Sequence, residues 1–304
     1  MGATISQLMI LFLFIFCGFA IGRVKHIPRE KSSILSLLLV NILLPAKIFL
    51  NFSKQCTLSY ISENWATLFV STTLLLLLVF LSWLMSKPLT KHPYERKVYR
   101  YSFTISNYAY LGYVFVENTL GESALTDMIL FCIPFAFYTY TFGYSLLSNQ
   151  PKSWKRLITP MTIAIAMGMV FGMCSIPLPA VVLKTFELAS GCVGPLSMIV
   201  TGLIISSFAL KELLPDMKTI SFSLIRLIAI PALLLGICSL CELIVPLPSA
   251  VYPAAVIMGC MPCGLNTIVF PSMVNEDCRI GARFVFHSHI LSLVTIPIWL
   301  WVIM

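Results

Sequence analysis

Charged residues are scarce in this sequence of 304 residues. Asp, Glu, Lys and Arg together make up 11% of the chain, whereas a typical soluble domain has roughly 25%. Apolar residues make up 59% of the chain, and its mean hydropathy is +0.94. A soluble fold would have to expose much of this apolar surface to water, so the composition excludes a soluble enzyme or a soluble nucleic-acid-binding protein.

Acidic side chains are missing from the middle of the apolar runs. Glu117, Glu122, Asp127, Glu187 and Glu242 all lie near the ends of such runs. A cation antiporter carries its ion on carboxylates within the membrane. The sequence therefore favours an anionic substrate over a cationic one.

What is abundant is long, continuous apolar sequence. A membrane-spanning helix needs about 20 mostly apolar residues, and the runs here predict an all-α integral membrane protein with one transmembrane domain over residues 1–304. The ten predicted spans cover residues 3–22, 33–50, 64–86, 98–118, 125–147, 158–176, 180–209, 217–245, 250–273 and 280–303.

Most of the 20 lysines and arginines follow odd-numbered spans, whereas the connections after even-numbered spans carry only Lys54 and Lys184. By the positive-inside rule the odd connections are cytoplasmic and both termini lie outside. The net charge of +8 thus describes topology and does not point to a nucleic-acid partner. The basic residues of the odd connections are Arg23, Lys25, Arg29, Lys31, Lys87, Lys91, Arg96, Lys97, Arg100, Lys152, Lys155, Arg156, Lys211, Lys218, Arg279 and Arg283.

The spans divide into two halves of five, residues about 1–150 and 155–304. An odd number of spans per half makes the second half enter the membrane from the opposite side, which is the inverted-repeat plan of many secondary transporters. Landmarks recur in the same order. Pro45 in the second span corresponds to Pro195 in the seventh, and the Asn107 to Gly112 stretch of the fourth span corresponds to the Pro262 to Asn266 stretch of the ninth.

Prolines within the predicted spans mark places where helices break. Proline has no N–H, so Pro262 leaves the carbonyl of Met258 without its helical partner, and Pro45 does the same to Asn41. Inverted-repeat transporters bind substrate near the membrane midplane, where broken helices free backbone groups. We therefore expect the site near these breaks.

These residues resemble the auxin efflux carrier family along the whole chain. The resemblance rests on the order of short motifs among the spans: Leu44-Pro45-Ala46, Asn107 with Leu111-Gly112, Pro195-Leu196 with Gly202-Leu203, and Met261-Pro262-Cys263-Gly264-Leu265-Asn266. It implies a ten-helix fold in which the fourth and ninth helices are broken and cross at mid-membrane. It also implies a secondary active permease that moves a small organic anion, auxin-like or malate- or malonate-like, by alternating access.

Two features qualify the resemblance. The link from Ser148 to Leu157 is short, as in bacterial members of the family. We therefore expect the protein to lie in the plasma membrane, the inner membrane of a bacterium. Plant members have proline before the asparagine of the fourth helix and again after its glycine, where this chain has Ser106 and Val114. The first crossover is therefore expected to be less open.

The predicted substrate-binding residues are Asn107, Asn266, Pro262, Gly264, Ser106 and Lys47. The predicted helix-breaking residues are Pro45, Gly112, Pro195 and Pro262. Lys47 has two interpretations, reaching to the interface or attracting an anion. Arg226 has similar alternatives, and at most one of His287 and His289 can face a site because they lie on nearly opposite helix faces.

Two other functions stay open at this point. Cys260 and Cys263, with a histidine, could carry a soft metal ion, and a membrane-embedded transferase could use His287 as general base. We expect a transporter and not an enzyme, with no metal and no cofactor. Its partners would be the organic anion and the lipid bilayer, a homodimer being left open.

Overall fold

The computed structural model describes residues 2–24, 31–214, 216–243 and 246–303, and these are α-helical with no β-strand. Lys25 and Arg29, used above to orient the chain, lie outside the described residues, as do the last two residues of the predicted eighth span. The helices are α1 (Gly2–Gly22), α2 (Lys31–Leu38), α3 (Leu44–Gln55), α4 (Leu58–Leu89), α5 (Pro93–Thr104), α6 (Tyr113–Leu120), α7 (Glu122–Tyr138), α8 (Tyr144–Ser148), α9 (Pro160–Met173), α10 (Ala180–Ser206), α11 (Met217–Glu242), α12 (Val251–Cys260), α13 (Asn266–Ser272) and α14 (Arg279–Ile303).

Two short π-helical segments join neighbouring helices into longer rods, and a third extends the start of α6. They are Leu39–Leu43 between α2 and α3, Tyr108–Gly112 before α6, and Thr139–Gly143 between α7 and α8. A π-helical turn inserts an extra residue into an α-helix and is frequent at functional sites.

Seven helical stretches in the described part of the chain are long and apolar enough to cross a membrane. α9 and α12 are shorter apolar helices. The protein is therefore a multi-pass, all-helical membrane protein, as its composition predicts. The seven stretches are Ile5–Gly22, Ile34–Gln55, Leu58–Leu89, Glu122–Ser148, Ala180–Ser206, Met217–Glu242 and Arg279–Ile303.

Two prolines expected to break helices do not do so. α10 is continuous through Pro195, which corrects the prediction of a break there. Pro45 stands in the first turn of α3, directly after a π-helical segment, so the rod continues through it with altered pitch. Membrane helices tolerate proline where neighbouring groups and local π adjustments accommodate the freed carbonyl.

The third predicted span begins too late. α4 starts at Leu58 and not at residue 64, because the Thr57 side chain accepts a hydrogen bond from the backbone N–H of Tyr60 and caps the helix. A threonine cap satisfies one of the free N–H groups of a first turn. α4 thus begins before the polar residues Glu63 and Asn64, at which the predicted apolar span starts.

α1 and α10 pack along each other at very close range. A Cβ atom at Gly18 would overlap the carbonyl oxygen of Ile199, and one at Gly202 would overlap that of Ile15. Small residues at such an interface let two membrane helices bring their backbones together. This contact joins the first helix of the chain to the second half.

Candidate functional site

The chain between α12 and α13 is non-helical because of Pro262. The residue before a proline is forced toward an extended conformation, and Met261 has φ −63° and ψ 146°. α12 therefore ends at Cys260, and a helix resumes only at Asn266. Both segments around the break are buried.

α5 ends beside this break, although no proline lies there. Ile105 is extended, and Ser106 forms an isolated antiparallel bridge with Cys263. The backbone N–H of Asn107 donates to the carbonyl oxygen of Pro262 at 2.8 Å. The two interrupted helices therefore cross and satisfy part of each other's free backbone.

Gly264 allows this close crossing. A Cβ atom at this position would lie 3.1 Å from the carbonyl oxygen of Ser106. That distance is tighter than most real Cβ contacts, so a side chain here would require the two segments to move apart by a few tenths of an ångström. Glycine avoids this shift.

Arg226 of α11 holds the helix ends at the crossing. Its side chain is 1% exposed. Its Nε donates to the carbonyl oxygen of Ser102 at 2.8 Å, and its Nη1 donates to that of Met261. A positive charge is favourable at the C-terminal end of a helix, and here one guanidinium serves the ends of both α5 and α12.

α14 also contacts both interrupted segments. Ser288 Oγ accepts a hydrogen bond from the backbone N–H of Cys263 at 2.9 Å. His289 Nε2 lies 3.2 Å from Asn107 Nδ2, and His289 Nδ1 lies 2.7 Å from the carbonyl oxygen of Val285. Adjacent residues of one helix thus hold the two sides of the crossing.

A small cavity of about 20 Å³ lies at the crossing, with room for one or two water molecules. Each of the three π-helical segments contributes to its wall. The lining residues are Val40, Leu44, Ile105, Ser106, Asn107, Tyr108, Ala109, Tyr110, Thr139, Tyr140, Met161, Gly264, Leu265 and Asn266.

Three buried polar atoms around this cavity have no hydrogen-bond partner: Ser106 Oγ, Asn107 Oδ1 and Thr139 Oγ1. Their residues are 3%, 2% and 2% exposed. A buried polar atom without a partner costs about 1–3 kcal/mol. Most buried polar atoms in native structures have a protein or water partner, so three unpartnered atoms around one cavity make it a candidate site.

The structure brings together most of the predicted site residues. Asn107, Asn266, Gly264 and Ser106 line the cavity, and the Pro262 carbonyl joins the two segments beside it. Gly112 does not break its helix as predicted: the π-helical segment that it ends continues directly into α6, and the interruption lies earlier, at residues 105–107.

Lys47 lies elsewhere. Its side chain is 3% exposed and forms an ion pair with Glu117 of α6. It is not among the described residues that line the cavity, and its charge is compensated by Glu117.

Sequence reasoning missed Thr139 and the π-helical segments, and left the role of Arg226 open. A π-helical turn has no reliable sequence signal. Arg226 does have a sequence signal, because a lone arginine in an apolar helix marks a buried partner or a pathway. The identity of that partner requires the tertiary structure.

The soft-metal alternative gains no support from the geometry. Cys260 and Cys263 are buried at the crossing, and no third histidine, cysteine or carboxylate joins them among the residues that the structure describes. His287, the base of the transferase alternative, contacts Thr219, with 3.0 Å between His287 Nδ1 and Thr219 Oγ1.

Known proteins with similar sequences are transporters. A protein described as the uncharacterized transporter MJ1031, from Methanocaldococcus jannaschii, is 25% identical over 309 residues, covering 97% of each chain. The uncharacterized transporter YfdV from Escherichia coli K12 is 21% identical over 312 residues, covering 98% of this chain and 97% of YfdV.

The family model described as "Membrane transport protein" matches residues 3–155 and 145–300. These two matches cover nearly the whole chain, and the interrupted helices with their flanking motifs lie within them. The chain belongs to this membrane transport protein family, the auxin efflux carrier family.

Proposed function

We propose that this protein is a secondary transporter that moves a small organic anion across the membrane by alternating access. The site would be the cavity at the crossing, with Asn107, Asn266, Ser106 and Gly264 contacting the substrate. The observation that carries the proposal is the set of three buried, unpartnered polar atoms at the point where two interrupted helices cross.

An anion fits the chemistry of this cavity better than a cation does. The hydroxyl groups of Ser106 and Thr139 can each donate a hydrogen bond to an anionic oxygen. None of the described residues that line the cavity is Asp or Glu. The positive charge of Arg226 lies at the same crossing, where it favours a negative ligand.

The size of the cavity supports a closed arrangement of the site. A volume of about 20 Å³ is too small for a dicarboxylate, so substrate entry requires the segments around it to separate. The two interrupted helices are joined by the bridge from Ser106 to Cys263 and by the hydrogen bonds of Arg226. These few contacts all lie at the crossing, which is consistent with a crossing that moves as one unit. Alternating access would open the cavity to one side at a time.

We further propose ten spans in two inverted halves, and the helix contacts support this plan. In such a plan, contacts come in pairs related by exchange of the halves. α1 packs on α10 and α3 on α9; α4 packs on α5 and α7, as α11 does on α12 and α14. The ten spans would be the seven long stretches, the shorter helix α9, and the two interrupted helices, α5 with α6 and α12 with α13.

The test is transport by Asn107→Ala and Asn266→Ala in reconstituted vesicles. We expect both variants to lose uptake across a panel of labelled mono- and dicarboxylates, because each removes an amide from the cavity wall. Size-exclusion chromatography in detergent would verify folding.

Asn64→Ala is the matched control. The Asn64 amide donates to the carbonyl oxygen of Tyr60 within α4, which does not line the cavity. Transport should persist in this variant. Wild-type uptake in a folded Asn107→Ala or Asn266→Ala protein would contradict the proposed site.

A further inference from the structure

The side-chain amide of Asn107 has a defined orientation, and His289 sets it. The Nδ1 atom of His289 lies 2.7 Å from the Val285 carbonyl oxygen, which can only accept a hydrogen bond, so Nδ1 carries a proton. In a neutral imidazole, Nε2 is then an acceptor. Nε2 faces the Asn107 amide at 3.2 Å, so the NH₂ group points at His289 and the oxygen points away.

This orientation leaves the Asn107 oxygen as the free group of the amide. Oδ1 is buried and has no partner, and Asn107 lines the cavity. An oxygen acceptor repels a carboxylate but accepts a hydrogen bond from a carboxylic acid. With neutral His289, the site therefore suits the protonated form of a carboxyl group.

A proton on His289 reverses this preference. Both ring nitrogens then donate, so Nε2–H requires an acceptor, and the Asn107 amide turns to place Oδ1 on it. The NH₂ group now faces the cavity and can donate to a carboxylate. Bound acid with neutral His289 and bound carboxylate with protonated His289 contain the same atoms and differ only in which group holds the one proton.

The surrounding charges link this proton to the substrate. Among the described residues, the charge that acts on His289 is that of Arg226 of α11, whose hydrogen bonds lie at the same crossing. Cys263, the titratable group on the second interrupted segment, faces Arg226. α1 contributes the aromatic ring of Phe12. The charge of Arg226 opposes a second positive charge on His289 unless an anion enters with it, which makes the binding of proton and anion mutually favourable.

We propose that His289 is the proton-coupling residue of the site, so that one proton crosses the membrane with each carboxylate substrate. His289 acts through Asn107 and is a positioning residue for the substrate. The inference rests on the proposed function and adds its coupling ion.

The experiment uses the full chain in vesicles, with labelled malonate and malate as probes and the membrane potential clamped at zero. An inward proton gradient should drive accumulation in the wild type, about tenfold for each unit of pH difference, because one coupled proton contributes that factor. A pH-sensitive dye inside the vesicles should report one proton per substrate.

His289→Gln should separate the two processes. Glutamine offers a donor and an acceptor without titrating, so His289→Gln should reduce gradient-driven accumulation and proton movement at least tenfold more than it reduces substrate counterflow at equal pH. His287→Gln is the matched control on the same helix, since His287 faces Thr219 and not the crossing. It should keep the coupling of the wild type.

The outcomes distinguish the two levels of inference. Counterflow of malonate or malate by the wild type with no proton movement overturns the coupling role and leaves the proposed function standing. Continued proton movement in a folded His289→Gln protein also overturns it. If the wild type shows no counterflow of either probe, the proposed function fails and the coupling inference fails with it.

Discussion

Three polar residues are almost completely buried where the interrupted helices cross. Arg226, Asn107 and His289 are each at most 2% exposed, and all three meet at one crossing. Polar residues at this depth are costly and mark function in membrane proteins. The cost is offset here by hydrogen bonds to backbone carbonyls and between the side chains, and Asn107 Oδ1 is left without a partner.

The ion pair of Lys47 with Glu117 provides a prediction at the residue scale. The side chain of Glu117 is 26% exposed. Replacing only Lys47 leaves the Glu117 carboxylate without its partner, and removing one member of a buried pair costs up to about 3–5 kcal/mol. We expect Lys47→Met to lower the thermal unfolding midpoint in detergent. The double variant Lys47→Met with Glu117→Gln should recover most of this loss.

Transport by the same double variant tests the other interpretation of Lys47. If the lysine only compensates Glu117, uptake should stay near the wild-type rate. A stable double variant that has lost transport would show that Lys47 contacts the anion, as one interpretation of the sequence had it.

At the scale of elements, the two interrupted helices have different causes. The break between α12 and α13 has a local cause, the proline at position 262. The break after α5 has none in its own sequence, since Ser106 stands where a proline would be expected. It is held open by the bridge to Cys263, by the Pro262 carbonyl and by Arg226. The expectation of a less open first crossover followed from local sequence alone.

Close packing of α1 on α10 gives a prediction for this pair of elements. Gly202→Ala should destabilise the protein, because the added Cβ would overlap the backbone of α1 at Ile15. Gly191→Ala on the same helix is the control, since nothing lies within 4 Å of its added Cβ. It should be neutral or gain up to about 1 kcal/mol from helix propensity. Thermal unfolding in detergent would compare them; equal midpoints would contradict the packing role of Gly202.

On the scale of the whole molecule, polar contacts join the halves away from the crossing as well as at it. Lys54 pairs with Glu187 at 3.4 Å. Asn149, after the fifth predicted span, bonds to both Lys97 and Glu276. The orientation predicted from the basic residues would put the first pair outside and the second group in the cytoplasm. Both sets connect the first half of the chain to the second.

Reporter fusions test this orientation. Green fluorescent protein fused after residue 150 should fluoresce, because it folds in the cytoplasm. Alkaline phosphatase fused after residue 179, before α10, should be active, because it requires the outer side. The reciprocal fusions serve as controls, and the opposite pattern would invert the topology.

By itself, the sequence determined the membrane environment, the helical class and the family, because these depend on the length and composition of apolar runs and on the order of short motifs. It also predicted that Asn107 and Asn266 lie near the helix breaks, since prolines and glycines mark breaks in apolar helices, and both line the cavity at the crossing. Only the tertiary structure decided that α10 passes through Pro195, that Lys47 pairs with Glu117, and that His289 faces Asn107. These outcomes depend on which partner satisfies a buried polar group, and that partner lies tens of residues away in the chain.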